Sequence, residues 1–288
     1  MSYQSGFRPN LFEGKKIVVT GGGSGLGRCN AHELASLGAE LALVGRRIEK
    51  LEKVQQELAD AGGRAEIFSC DLRQEQPVKE TVAAILEKLG GIDGLVNNAG
   101  GQFPAQLKDI SFNGWSAVVN NNMTATFLMS REVYLQWMET HGGAIVNIGA
   151  DYERGMAGMG HSGAARAGQA NFTKTASVEW AHSGVRVNHL IPGFIASSGL
   201  DEYPASSADT LRKVKSRIPL KRHGTESEIS AAIVFLLSEM AAYINGATLQ
   251  VDGGLHHAAS VFYEIPDHDN SPPYNGFPLY KRPDVLGE

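Results

Sequence analysis

The chain has 288 residues, of which 42% are hydrophobic and 20% are charged, so it can bury a substantial core. Its formal net charge of −5 at pH 7 argues against nucleic-acid binding as its main role. Its two cysteines, Cys29 and Cys70, match neither a disulfide framework nor a metal-site pattern, so we predict no metal site. No segment has the apolar length of a signal peptide or a membrane span. We therefore expect a cytoplasmic protein that acts away from membranes.

Short β-branched runs alternate with longer segments of helical periodicity, which predicts βαβ units and a parallel sheet. The runs are almost continuously apolar, as is typical of strands buried on both faces. Helices are predicted at Ile48–Ala61 and Ser227–Met240, where apolar residues recur on one face. The seven predicted strands are Ile17–Thr20, Leu41–Val44, Ala65–Ser69, Gly94–Asn97, Ala144–Ile148, Val185–Ile191 and Thr248–Val251.

The first predicted strand leads into a glycine-rich run, Gly21-Gly-Gly-Ser-Gly-Leu-Gly27, and then into a helix. Glycines at such a turn let backbone N–H groups approach a pyrophosphate at the positive end of the helix. Because the strand, the helix and a second strand follow in the required order, the run indicates dinucleotide binding rather than a merely tight turn.

The second predicted strand is followed by Arg46 and Arg47, with no acidic residue beside them. An acidic residue here would bind the ribose hydroxyls of NAD, whereas arginine accommodates the 2′-phosphate of NADP. The pair therefore favours NADP(H). The alternative is that both arginines are solvated charges at the start of the next helix.

Four further motifs follow later strands in order: Cys70-Asp-Leu72, Asn97-Asn-Ala-Gly100, Asn122, and Pro192-Gly-Phe-Ile195. With the glycine-rich turn, they make about residues 12–254 resemble the short-chain dehydrogenase/reductase family. The resemblance implies a single α/β domain with a Rossmann fold, a doubly wound parallel sheet of seven strands with helices on both faces. The cofactor-binding residues that it implies are Gly21, Ser24, Gly25, Leu26, Gly27, Arg46, Arg47, Asp71, Leu72, Asn98, Ala99, Gly100, Arg166, Pro192, Gly193, Ile195 and Ser197.

The chain departs from this family at the catalytic centre. Ser162 stands at the position of the family's tyrosine, Arg166 at that of its lysine, and Gly149-Ala-Asp151 where its serine is expected. Of the usual four residues only Asn122 matches. A tyrosine–lysine pair passes a proton to or from an alcohol, so its loss argues against carbonyl reduction. The candidate catalytic residues are Asn122 and Ser162, which would position an oxygen or a water, and Arg166, which would contact the ribose and add positive charge.

The run His161-Ser-Gly-Ala-Ala-Arg-Ala-Gly168 resembles the trans-2-enoyl-CoA reductases of the peroxisomal type. The related 2,4-dienoyl-CoA reductases also lack the tyrosine. The resemblance implies NADPH-dependent reduction of an α,β-unsaturated acyl-CoA, with hydride transfer to Cβ. Residues 212–222 hold six basic residues among eleven, which predicts either attraction of the coenzyme A phosphates or a solvated helix face.

Two other functions stay open. The chain could be a catabolic dehydrogenase of terpenoid or branched alcohols or acyl-CoAs, or a cofactor-binding regulator without catalysis. Tyr152 could supply a phenol from another direction, and His161 could polarise a thioester carbonyl. Arg28 could assist at the cofactor.

Residues 1–255 form the predicted cofactor-binding domain. Residues 256–288 are rich in proline and aromatic residues and are predicted to be an extended tail that packs on the domain or on a neighbouring subunit. By the resemblance we also expect a homotetramer, assembled through long helices near 112–139 and 160–183. The apolar positions expected there are Phe127, Val133, Trp137, Phe172, Val178 and Trp180.

Overall fold

A computed structural model describes residues 2–258 and 262–287. Each of the seven predicted strands is present, and no strand end differs from its predicted position by more than one residue. The agreement reflects continuous apolar runs that end at glycine or polar residues. The strands are β1 (Lys16–Thr20), β2 (Glu40–Gly45), β3 (Arg64–Ser69), β4 (Gly94–Asn97), β5 (Gly143–Ile148), β6 (Val185–Pro192) and β7 (Thr248–Val251).

The strands form one parallel sheet in the order β3-β2-β1-β4-β5-β6-β7. The direction of winding reverses between β1 and β4, so the chain leaves these neighbouring strands on opposite sides and opens a crevice at their carboxyl ends. Thr20, the last residue of β1, is hydrogen-bonded to the turn after β4 at the base of this crevice. Its hydroxyl oxygen accepts hydrogen bonds from the backbone N–H groups of Asn98 and Ala99, at 3.0 Å each. The predicted doubly wound fold is confirmed.

Helices cover both faces of the sheet. The two predicted from periodicity are present as α2 (Ile48–Asp60) and α9 (Glu226–Leu237), and a capping box at Thr225 and Glu228 fixes the start of α9. The predicted long helix near 112–139 is a helical run from 112 to 141 that contains π-helical segments at Asn120–Thr124 and Tyr134–Met138. None of the described helices combines the length and apolarity that a membrane span requires. The α-helices are α1 (Gly25–Ser36), α2 (Ile48–Asp60), α3 (Glu75–Leu89), α4 (Phe112–Val119), α5 (Ala125–Val133), α6 (Glu139–His141), α7 (Gly160–Glu179), α8 (Ala208–Lys213) and α9 (Glu226–Leu237).

The core lies in two layers, one on each face of the sheet. Leu34 of α1 and Ile233 of α9 belong to the first layer, and Val82 of α3 and Met129 of α5 belong to the second. All four side chains are buried. The sheet is therefore covered on both faces, as its continuous apolar strands require.

The amino-terminal segment and the tail pack together against α1. The N–H of Gln4 donates to the Gly276 carbonyl at 2.8 Å. Phe277 is buried with Tyr3 and Cys29, and the Cζ of Arg28 lies 5.1 Å from the centre of its ring. Phe262 and Tyr263, in the same tail, are exposed. Residues 259–261, which fall in the predicted tail, lie outside the described residues.

Replacing Phe277 by alanine should destabilise the protein, because the ring fills a buried site between the amino-terminal segment and α1. We expect the free energy of unfolding to fall by about 3 kcal/mol. Tyr263→Ala, which truncates an exposed aromatic of the same tail, is the matched control. Urea denaturation measures the free energy of unfolding of both variants. Equal small decreases in that free energy would contradict the packing role of Phe277.

Candidate active site

The turn between β1 and α1 requires glycine at several positions. Gly21 and Gly25 have φ values of +67° and +51°, which side-chain-bearing residues rarely adopt. A Cβ atom on Gly27 would lie 2.3 Å from the Gly21 carbonyl oxygen. The turn is therefore tight, and it directs the amino-terminal end of α1 toward the crevice, where backbone N–H groups can bind an anion.

This crevice is an open cleft at the carboxyl ends of β1, β2 and β4. The predicted cofactor residues that line it are Gly21, Ser24, Arg46, Arg47, Asp71, Leu72, Asn98, Ala99 and Gly100. Other lining residues were missed by the sequence analysis: Gly23, Gly45, Lys50, Leu51, Cys70 and Asn121. The predicted Leu26 instead packs against the first core layer. Lys50, in the first turn of α2, and Asn121, beside Asn122, belong to no recognised motif, so nothing in the sequence indicated that they line the cleft.

Arg46 and Arg47 are exposed at the cleft, and neither forms an ion pair with any residue that the structure describes. Asp71 is different, since it accepts two hydrogen bonds from the Arg73 guanidinium, at 2.8 and 2.6 Å. This contact lowers the pKa of Asp71 to about 2, so the carboxylate stays ionised. Arg28 faces α2, where it pairs with Glu57 at 2.7 Å, rather than the cleft.

The segment after β6 forms the opposite rim of the site. A Cβ on Gly193 would lie 2.6 Å from the Cα of Asp252, so the chain passes that residue at close range. Ile195 is buried and pairs with Gly224 in an isolated parallel bridge. The Ser197 hydroxyl lies 3.8 Å from the position of a Cβ on Gly25, which brings the predicted β6 residues beside the start of α1. Pro192, the last residue of β6, precedes this segment.

Glu226, the first residue of α9, is a buried acid at this rim. Its carboxylate lies 3.9 Å from the position of a Cβ on Gly25. Burial raises the pKa of Glu226 to about 7, although the charge of Arg28 and the backbone N–H of Ser198 act in the opposite direction. The group therefore titrates in the folded protein near neutral pH.

Arg166 is buried on α7. It donates through Nη1 to the Ile148 carbonyl at 2.6 Å and to Gln169 Oε1 at 3.3 Å. Burial lowers the pKa of Arg166 to about 10, so the guanidinium is still charged at neutral pH. Its Nε atom has no hydrogen-bond partner among the described residues. A buried N–H without a partner is costly, so this atom is available to a bound ligand.

Asn122 lies in the first π-helical segment and is fully buried. Its amide nitrogen donates to the carbonyls of Gly101 and Val118, at 2.7 and 2.8 Å, and its oxygen accepts from the Gly101 N–H at 3.1 Å. Both of its N–H donors are thus directed to the backbone. In this structure Asn122 fixes the turn after β4 and presents no free donor to a substrate.

Ser162 is also fully buried. Its hydroxyl donates to Gln102 Oε1 at 2.7 Å, and Gln102 Nε2 donates to the hydroxyl of Tyr203 at 3.1 Å. Tyr203 belongs to residues 198–217, which follow β6 and which we call the lid segment. Neither Gln102 nor Tyr203 was among the candidate site residues, because a contact between separate loops leaves no periodic pattern in the sequence.

The space beside Gly149 is filled by His189 of β6. A Cβ on residue 149 would lie 2.2 Å from His189 Nε2, so glycine is needed there. Burial lowers the pKa of His189 to about 3, so the ring is neutral. Tyr152 lies against this ring, with 6.1 Å between ring centres, and burial raises the pKa of its phenol. His161 is buried edge-on to Phe103, and its Nε2 has no partner among the described residues.

Within the described residues, no three histidine, cysteine or acidic side chains are grouped so that they could hold a metal ion. His256 instead contacts two carboxylates of the loop after β5, those of Asp151 at 3.2 Å and Glu153 at 3.1 Å. These contacts connect that loop to the chain that follows β7.

Comparison with known proteins identifies the family. The sequence model of the family described as Enoyl-(Acyl carrier protein) reductase matches residues 21–256. The chain belongs to the short-chain dehydrogenase/reductase family. A probable 2,4-dienoyl-CoA reductase from Bacillus subtilis (strain 168) is 36% identical, over 84% of this chain and 96% of that protein. The resemblance drawn from the sequence motifs is confirmed.

The relatives differ in the substrate that they are named for. Glucose 1-dehydrogenase from Gluconobacter oxydans (strain 621H) is 37% identical, over 85% of this chain and 92% of that protein. The solved structure of the citronellol catabolism dehydrogenase AtuB from Pseudomonas aeruginosa PAO1 is 52% identical with a TM-score of 0.80, and the match covers 88% of this chain and 99% of that chain. The comparisons thus establish an oxidoreductase family that uses a nicotinamide cofactor.

Glu226→Gln should change how stability depends on pH. A carboxyl whose pKa is about 7 when folded and about 4.3 when unfolded binds more protons in the folded state, so stability falls as pH rises between these values. Glutamine removes that loss. Relative to wild type, we expect the variant to gain on the order of 3 kcal/mol between pH 4.5 and pH 8. Urea denaturation across this range, with the exposed Glu239→Gln as control, tests it; parallel pH profiles for wild type and Glu226→Gln would refute it.

Proposed function

We propose that this protein is an NADPH-dependent reductase of the C=C bond in an α,β-unsaturated acyl-CoA thioester. The observation that carries the proposal is the pair at positions 162 and 166. Ser162 and a charged, buried Arg166 stand where an alcohol dehydrogenase of this family needs a phenol and a lysine. Conjugate reduction needs a polarised carbonyl and a proton from water, which this site can supply without that pair.

The described residues fit a bound NADP(H). The absence of a Cβ on Gly27 lets α1 pack closely on the Gly21 turn, which presents the start of α1 to a pyrophosphate. Arg46 and Arg47 can bind a 2′-phosphate, because no described residue pairs with either guanidinium. The unpartnered Nε of Arg166 suits a ribose hydroxyl. When bound, the nicotinamide of NADPH supplies the hydride.

Each residue at the centre then has a distinct role. Arg166 adds positive charge beside the reacting carbons and holds α7 against the end of β5. Asn122 keeps the turn at Gly100 and Gly101 in place through the contacts described above. Ser162 anchors Gln102, so a thioester would meet a set of side chains that is already ordered.

The six basic residues of 212–222 divide into two groups. Lys221 donates to the Ile265 carbonyl of the tail at 3.0 Å. Arg212 and Arg222 donate to backbone carbonyls of the tail, and Arg222 also pairs with Glu228 at 2.6 Å. Lys213, Lys215 and Arg217 are exposed. These three support the proposal of a CoA substrate, since its phosphates would be attracted to them.

We propose further that the protein assembles as a tetramer through α4, α5 and α7. Phe127 and Val178 are exposed on these helices, as an interface requires. The other positions expected there are covered within the subunit. Val133 is fully buried in the second core layer, and Trp137, Phe172 and Trp180 pack against that layer.

The main alternative is a dehydrogenase of terpenoid alcohols or acyl-CoAs, which the 52% identity to AtuB favours. Both functions use the same cofactor cleft, so they differ only in what reacts beside α7. A regulator without catalysis would bind NADPH and turn over neither class of substrate.

A substrate panel separates these functions. With NADPH we expect turnover of crotonyl-CoA, longer 2-enoyl-CoAs or 2,4-dienoyl-CoAs, and little turnover of 3-ketoacyl-CoAs, because no tyrosine–lysine pair stands on α7 to deliver a proton to a ketone. NADP⁺ reduction with citronellol is measured beside them. Rapid turnover of ketoacyl-CoAs or citronellol would contradict the proposal, and the absence of any turnover would favour the regulator.

The double variant Arg46→Gln with Arg47→Gln should lower kcat/KM for NADPH by at least about 10-fold, since even one charged hydrogen bond to a phosphate is worth about 1.5–3 kcal/mol. The value for NADH should stay within about threefold, because NADH has no 2′-phosphate. Arg64→Gln is the control, because Arg64 lies at the amino end of β3, away from the cleft at the carboxyl ends of the strands. Equal losses with both cofactors would show that the two arginines do not select NADP.

A further inference from the structure

Tyr203 brings a phenol to the active site from the lid segment. It follows the 3-10 turn Ser198–Glu202, and its ring packs against the cluster of Ala196, Leu211 and Leu286. Its hydroxyl oxygen lies 3.1 Å from Gln102 Nε2. Tyr152, in the loop after β5, is the other candidate phenol, but Tyr203 is the one joined to Ser162 through a shared partner, Gln102.

The hydrogen bonds among Ser162, Gln102 and Tyr203 leave one hydroxyl proton without an acceptor among these three residues. Ser162 donates its only hydroxyl proton to Gln102 Oε1. Gln102 Nε2 in turn donates to Tyr203, whose oxygen is therefore an acceptor in this contact. A phenol also carries one donor, so the Tyr203 proton is available to a ligand whereas the Ser162 proton is committed.

The charge around Tyr203 suits a developing oxyanion. Arg166 lies one turn after Ser162 on α7, is buried, and stays charged at neutral pH although burial lowers its pKa to about 10. A guanidinium beside this group also stabilises negative charge on an oxygen that Tyr203 binds.

We propose that Tyr203 donates the hydrogen bond to the thioester carbonyl oxygen of the substrate, and that Gln102 is the residue that positions it. This inference rests on the proposed function. As hydride adds to Cβ, the π electrons of the C=C bond shift to form an enolate whose charge lies on that oxygen. The Tyr203 hydrogen bond strengthens as the charge grows, and a proton from water then forms the new Cα–H bond. Tyr203 thereby supplies from the lid segment the phenol that α7 lacks.

The first test is a binding spectrum that needs no turnover. A donor to the carbonyl polarises a conjugated thioester and moves its absorption to longer wavelength. We therefore expect 2,4-hexadienoyl-CoA to shift on binding to the enzyme with NADP⁺, and we expect Tyr203→Phe to abolish the shift. Ser162→Ala should keep it, because its proton is directed to Gln102. A shift retained in Tyr203→Phe, or lost only in Ser162→Ala, would overturn the proposal.

The second test is turnover. Tyr203→Phe should lower kcat for enoyl-CoA reduction by about 100-fold or more, the usual cost of losing one donor to an oxyanion, with a smaller change in KM. Gln102→Ala keeps the phenol but frees its position, so it should cost less. Tyr280→Phe removes a hydroxyl from the same tail and lid cluster and is the control. Unchanged thermal stability and NADPH affinity in Tyr203→Phe would show that the fold and cofactor site are intact.

The outcomes separate this inference from the proposed function. If wild type reduces enoyl-CoAs and Tyr203→Phe does so within twofold, the role of Tyr203 is refuted while the function stands. If wild type oxidises citronellol instead, the function fails, and loss of that activity in Tyr203→Phe would still support Tyr203 as the hydroxyl that contacts substrate oxygen. If neither substrate reacts, the spectral shift alone decides.

Discussion

The guanidinium of Arg166 donates to the Ile148 carbonyl at the point where β5 ends and the chain turns toward α7. A buried guanidinium has to be hydrogen-bonded, so this contact restricts where α7 can lie on the sheet. The neighbouring turn is restricted with it, because a Cβ on Gly100 would lie 2.7 Å from both Arg166 Nη2 and Asn122 Oδ1. Arg166 thus fixes α7 to the end of β5, Asn122 fixes the turn after β4 to the π-helical segment, and Gly100 lies between the two side chains. The remaining active-site contacts are built on this arrangement.

The cofactor half of the site could be predicted from the sequence because its features are local. Buried parallel strands appear as apolar runs, and the residues that follow each strand necessarily meet at one edge of the sheet. Position along the chain did not by itself show where a side chain points. Arg28 lies one residue after Gly27, yet the helix directs it to Glu57 on α2. Leu26 is within the glycine motif but faces the core.

The substrate half could not be predicted in the same way. Tyr203 reaches Gln102 only because the lid segment returns across the site, and no spacing in the sequence records that return. His189 lies in an ordinary apolar strand, and nothing before the structure shows that it fills the space beside Gly149. Even Asn122, which matches the family motif, turned out to direct its donors to backbone carbonyls. Motifs identified the residue types here, but the directions of their hydrogen bonds required coordinates.

The lid segment is also attached to the far end of the described chain. The Val285 N–H donates to Asp201 at 3.0 Å, and the Arg212 Nε donates to the Val285 carbonyl at 2.9 Å. Val285 lies outside the part of the chain that the family model covers. The position of the lid segment therefore depends on two stretches that are distant in sequence but bonded in space. A chimera that exchanged only the lid with that of a relative would lose these two bonds, so specificity should transfer between homologues only when both stretches are moved together.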